Sequence, residues 1–141
     1  AMITHLAIKY RSIAHDFRFE QLRAHHMAQL MDLSKGFLAD EPLAKATGCT
    51  LENTRAGMEY IFAYSIAANS VTGHSSMMCY ENKTNTPVGI LLIYPSYRET
   101  KFAPFSVPEP TLSKQEKTIF SVLDETWSKM WDIYPNENVC S

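Results

Sequence analysis

The run Val88-Gly89-Ile90-Leu91-Leu92-Ile93-Tyr94 carries no charge, and it constrains the fold more than any other segment. Apolar residues at nearly every position suit a strand covered on both faces, so it is expected at the centre of a sheet with helices on either side. Its boundaries are chemically marked. Asn82-Lys83-Thr84-Asn85-Thr86 before it reads as a polar hairpin loop from a strand over 75–81. After it, Pro95, Pro104, Pro108 and Pro110 predict a loop without regular structure over 94–110.

Upstream the period changes. Phe17-Arg18-Phe19-Glu20 alternates as a short half-buried strand does. Met27, Leu30, Met31, Ser34, Phe37 and Leu38 then recur at helical steps, until Glu41-Pro42 breaks the helix. Residues 43–48 read as a short connection. Thr50 is a good N-cap, with Glu52 in the first turn, for a helix whose stripe is Met58, Ile61, Phe62, Ser65, Ile66 and Asn69, closed by Gly73. A capping box at Ser113-Lys114-Gln115-Glu116 opens a last helix with the stripe Ile119, Val122, Leu123, Thr126, Trp127 and Met130, which Tyr134-Pro135-Asn136 ends. Such a stripe needs an apolar partner, and left bare it would be an association surface. Val139-Cys140 reads as the first residues of a further strand.

The composition excludes several classes. A length of 141 residues with 45% hydrophobic content builds one core. A net charge of -2 with scattered Lys and Arg gives no field for nucleic acid. No apolar run approaches the roughly 20 residues of a membrane helix. Ala1-Met2-Ile3-Thr4-His5 lacks a signal-peptide core, and Ala1 before Met2 reads as a cloning remnant. Cys49, Cys79 and Cys140 are an odd count without metal-ligand spacing, so free thiols in a reducing, cytoplasmic setting are expected and no metal is.

Phe37-Leu38-Ala39-Asp40-Glu41-Pro42-Leu43 resembles the Asp/Glu-Glu-Pro-Leu motif, preceded by an aromatic-bearing helix, of invertebrate-type arylalkylamine (dopamine acetyltransferase-like) N-acetyltransferases in the GNAT superfamily. Leu43-Ala44-Lys45-Ala46-Thr47-Gly48 is similar to the segment that follows that motif. Pro87-Val88-Gly89-Ile90 is similar to the entry into the superfamily's third strand, and the helix over 113–130 to one inserted before its fourth. The resemblance covers most of the chain from Phe17 onward. It implies an α/β GNAT fold, N-terminal part, with a mixed, largely antiparallel sheet and helices on both faces. Residues 1–141 would be a single domain ending at Asn138-Val139-Cys140-Ser141, before its acetyl-CoA-binding half. The superfamily's Gln/Arg-x-x-Gly-x-Gly/Ala loop, which holds the pyrophosphate on backbone N–H groups at a helix start, is absent: Gly36, Gly48, Gly57, Gly73 and Gly89 do not have that spacing.

The implied reaction is attack of a primary amine on the thioester of acetyl-CoA, the co-substrate, after a base removes the amine's proton. A carboxylate serves when desolvation raises its pKa. Glu41 matches the motif and is the expected base. Read by spacing alone, it caps a short helix whose first turn begins at Pro42. Asp40 is expected beside it, steering the cationic amine. Tyr94, Tyr97 and Phe102, with Phe105, are expected to line the substrate's pocket, or else to anchor the long loop to the core. Phe62, Tyr64 and Trp127 read as core. His25-His26 reads as a surface pair and a poor metal site, His74 is marked as a relay by position alone, and Cys79 is expected buried and inert. No donor-binding residue is assigned. The competing expectation is a non-catalytic, truncated GNAT fragment that binds a partner or dimerises through an exposed sheet edge at 88–94.

Overall fold

A computed structural model of the chain describes residues 15–140. The segment Ala1 to His5 and the terminal Ser141, both read above, lie outside these residues. The first strand, β1 (Phe17–Gln21), forms from the alternating segment and pairs antiparallel with β2 (Met77–Glu81), which pairs antiparallel with β3 (Thr86–Leu91). The β2–β3 hairpin turns at Asn85, whose φ of 56° is the left-handed conformation that asparagine tolerates.

Among the described residues four α-helices have both ends defined, and the three longest follow the order expected. The four are α1 (Met27–Asp40), α2 (Pro42–Thr47), α3 (Leu51–Thr72) and α4 (Lys114–Ile133). Thr50 and Ser113 close capping boxes with Asn53 and Glu116, and Gly73 ends α3 with a φ of 73°. The stretch over 43–48, read as a short connection, forms the helix α2, as the reading of Glu41 as a cap before Pro42 expects. Its N-cap is Glu41, and Pro42 fixes the first turn.

Alternation along β2 sends Met78 and Tyr80 into one core with Leu22, Leu30, Met31 and Phe62, so α1 and α3 both pack on the same face of the sheet. Buried Asn69 of α3 holds that face in register. Its side chain donates to the carbonyls of Leu22 (3.1 Å) and Ser76 (2.9 Å) and accepts the Ser76 amide (2.8 Å). Helix α4 packs on α2 and α3. A smaller core of Leu38, Ala44 and Cys49, with Ile119 against it, joins α1, α2 and α4.

Two expectations are corrected here. The sheet order is β1-β2-β3, so β2 is central and the apolar strand over Val88 lies at an edge, paired on one side only among the described residues. The hairpin returns it beside β2, no later strand of the described residues pairs with it, and Leu91 is 53% exposed. Helices were also expected on both faces. The second face, where Phe19 is 65% exposed opposite a half-buried Cys79, carries no helix among the described residues.

The proline-rich stretch is also less bare than its composition predicts. Ser96–Tyr97 (β4) pairs antiparallel with Val139–Cys140 (β5), the further strand anticipated there, and Thr100–Phe102 form a 3₁₀ turn. No helix of the described residues is long and apolar enough to cross a membrane.

Candidate functional site

Tyr60 and Tyr64 lie one turn apart on α3, their ring centroids 6.1 Å apart, on the flank that faces the proline-rich loop. That loop lays Tyr94 edge-on against Tyr64 at 5.7 Å, and Phe105 edge-on against both Tyr64 (4.9 Å) and Tyr97 (6.4 Å). The Tyr64 hydroxyl donates to the Pro95 carbonyl at 3.3 Å, fixing the loop to the helix. Facing them, α4 presents Phe120, Leu123, Asp124, Trp127 and Trp131 at helical spacing. The two walls enclose an open cleft of about 530 Å³.

Burial, joined by the neighbouring phenols of Tyr97, Tyr60 and Tyr94, pushes the Tyr64 hydroxyl up to about 12. Burial raises Tyr94, and burial with the charge of Glu109 raises Tyr60. These three phenols stay protonated at neutral pH, so they offer ring faces and hydroxyls but no base.

A second, more enclosed cavity of about 270 Å³ lies between α1, α2, α3 and α4. Leu38, Leu43, Met58 and Ile119 make it apolar, and two carboxylates line it, Glu41 and Glu116. Ile61, Phe120 and Leu123 line both spaces, so the cavity and the cleft share a wall. Glu41 is half-buried, and its Oε2 accepts the Ala44 amide as the cap of α2. The cap expected from spacing alone is therefore formed, and it coexists with a place on the cavity wall. Glu116, which spacing marked only as part of a capping box, is buried. Oε1 accepts the Gly57 amide at 2.6 Å and Oε2 the Ser113 amide at 2.7 Å. The Ser113 hydroxyl in turn donates to the Asn53 carbonyl, which completes the joint between α3 and α4. No local pattern could have shown that a cap side chain also reaches a second helix.

The remaining residues separate. Tyr94 and Tyr97 line the cleft. Phe102 lies outside it, exposed, with the Lys101 ammonium 5.0 Å from its ring centre. Asp40 lines neither space; its side chain is 92% exposed and pairs with Lys45 at 3.4 Å. Phe62 is core as expected, whereas Tyr64 is only partly buried and Trp127 is 41% exposed on the cleft wall. The first turns of α4 pack at the start of α3, where Glu116 reaches Gly57, and Ile119 packs on the smaller core.

His26 is also corrected. It is buried rather than superficial, and Glu20, His25 and His26 bring ligand atoms within 4.8 Å of one another. The His26 ring is already committed. Its Nδ1 accepts the Arg23 amide at 3.0 Å, so the proton sits on Nε2, which faces Glu20 Oε2 at 3.4 Å. A metal on Nε2 needs that proton moved to Nδ1, where it would meet the Arg23 N–H. His26 is thus a buried ring that caps the Arg23 amide, while Glu20 is half-buried and His25 exposed. The same contact, with Arg18, holds the Glu20 carboxyl below its ordinary range, Arg18 being the larger cause.

An acyl-CoA pyrophosphate needs a helix start with free N–H groups. The first turns of α2, α3 and α4 are taken by the side chains of Glu41, Thr50 and Ser113, the first of them an anion. These three starts do not fit that group. No family model matches the chain, and no curated protein matches its sequence.

Proposed function

We propose that the chain binds a primary arylalkylamine as the acceptor of an N-acetyltransferase-like reaction. The observation that carries this reading is the wall of Ile61, Phe120 and Leu123 shared by the Glu41 cavity and the aromatic cleft. An arylalkylamine has the matching two ends. Its ring packs against Tyr64, Tyr94 and Tyr97, where edge-to-face contacts add about 0.5–1.5 kcal/mol beyond area burial. Its ammonium, at the other end of a short alkyl chain, is directed past Ile61, Phe120 and Leu123 towards Glu41 in the adjoining cavity.

There Glu41 takes one proton from the ammonium, giving a carboxylic acid and a neutral amine whose lone pair is the nucleophile. The acyl donor supplies the thioester carbonyl that this nucleophile attacks. The chain's own share is to bind the amine, orient it and remove its proton.

Phenethylamine titrated into the 141-residue chain, followed by tryptophan emission, tests the reading. Saturable binding is expected, with Glu41→Gln weakening it roughly tenfold by removing the charge while keeping a capping carbonyl. Absence of saturation, or a Glu41→Gln protein that binds unchanged, would sink it.

A second reading, association of two copies through the outer edge of β3, is favoured by the exposure of Leu91 beside a strand edge that no described residue pairs. Sedimentation velocity at two concentrations decides it: a dimer that Leu91→Lys dissociates supports it, and a monomer throughout removes it.

A further inference from the structure

The lining of the cleft has a charge pattern that an aryl ring does not need. Asp124 is the one charged side chain among its lining residues, and no Lys or Arg is among them. Around that carboxylate stand tyrosine rings and both of the chain's tryptophans, Trp127 and Trp131. Aromatic faces carry negative potential, and indole attracts a cation most strongly. The chain already uses one in this way: the Arg98 guanidinium lies 5.2 Å from the Trp131 ring centre, while it donates to the Tyr134 carbonyl beyond the end of α4. Trp127, 41% exposed, has no such partner among the described residues. A cleft of this kind discriminates by hydration. Sodium or ammonium keeps its water and gains little from ring faces, whereas a methylated ammonium sheds water easily and presents a broad, weakly positive surface.

We propose that the cleft binds N-methylated organic ammonium cations, trimethylammonium compounds above all, between the ring faces of Trp127 and the tyrosines and the carboxylate of Asp124. Such a ligand has no N–H proton to surrender, so it is not an acetyl acceptor. This binding does not depend on the acetyltransferase reading. Where both hold, the cation occupies the aryl end of the site and displaces an arylalkylamine from it.

Tetramethylammonium chloride is titrated into the full chain and tryptophan emission followed, with sodium chloride and tert-butanol titrated in parallel. Because both tryptophans line the cleft, the signal reports on this site. A saturable response to tetramethylammonium is expected that neither control reproduces. Asp124→Asn and Trp127→Leu, each checked for retained helix by circular dichroism, should weaken it at least roughly fivefold, the Trp127 variant being followed by broadening of the ligand's methyl proton signal. The proposal is overturned if sodium chloride gives the same response, if tert-butanol binds as tightly, or if both folded variants bind unchanged. Binding of phenethylamine without tetramethylammonium would overturn it alone and leave the amine reading standing. The converse would remove the amine reading and leave this one.

Discussion

The amide of Gly57, in the interior of α3, donates to Oε1 of Glu116 in the first turn of α4 at 2.6 Å. A Cβ at position 57 would stand 2.9 Å from that oxygen and 3.0 Å from Phe120, so any larger residue must push the bonded Glu116 carboxylate and the Phe120 ring aside. Gly57→Ala should therefore destabilise the chain, although alanine is the better helix former by about 1 kcal/mol. Urea unfolding is the check, and a more stable variant would mean that the joint is loose.

Removing the other partner should cost more. Glu116→Ala leaves the buried amide of Gly57 unpaired, at about 1–3 kcal/mol, and removes the partner of the half-buried Ser113 amide as well. Glu116→Gln keeps one acceptor and should recover part of that loss, as read by the same urea midpoints.

Asn69→Ala removes three hydrogen bonds that tie α3 to the backbones of Leu22 and Ser76. Burial excludes water from replacing them, so the cost should reach roughly 3 kcal/mol or more. Hydrogen exchange should show the amide of Ser76 among the first to lose protection.

Alkaline pH should weaken the fold through the cleft. Tyr64 ionises near 10 in the unfolded chain and only near 12 in the folded one, burial being the main cause. The folded state therefore binds more protons between those values. Its contribution is fully present below pH 10 and is lost as the pH climbs towards 12. Stability measured from pH 8 to 11.5 should fall less steeply in Tyr64→Phe than in the parent chain.

Trp127→Ala should cost little stability, below about 1.5 kcal/mol, because the side chain is 41% exposed. A loss of 3–5 kcal/mol would return this residue to the core, where helical spacing alone places it.

The legible and illegible parts of the fold divide along the range of the forces involved. Caps and periods act within a few residues, so Thr50, Ser113 and the bounds of α1, α3 and α4 could be read directly. Edge or centre is a property of who pairs with whom. The run at 88–94 has the composition of a central strand, yet its hairpin places it outermost, and no local pattern encodes that. His26 failed for a related reason. Adjacent histidines look like a solvated pair until a backbone amide, Arg23 N–H, turns one ring inward. In the candidate site, the aromatic loop pointed to Tyr94 and Tyr97, while their partners Tyr60, Tyr64, Trp127 and Trp131 sat on helices as ordinary apolar positions. Only the folded chain brings them to one cleft.

The two-residue pairing of β4 with β5 reaches from Ser96–Tyr97 to Val139–Cys140, and the Arg98 amide extends it to the Asn138 carbonyl at 3.0 Å. It fastens the two ends of a circuit that contains the proline-rich loop and all of α4. A clasp of this kind separates length from shape. Closing a flexible loop costs only about 0.6 kcal/mol more for each doubling of its residues. Residues could be added near Pro108 or Pro110 without moving Tyr97 relative to Trp131. The segment is free to change in length while the cleft it borders keeps its dimensions.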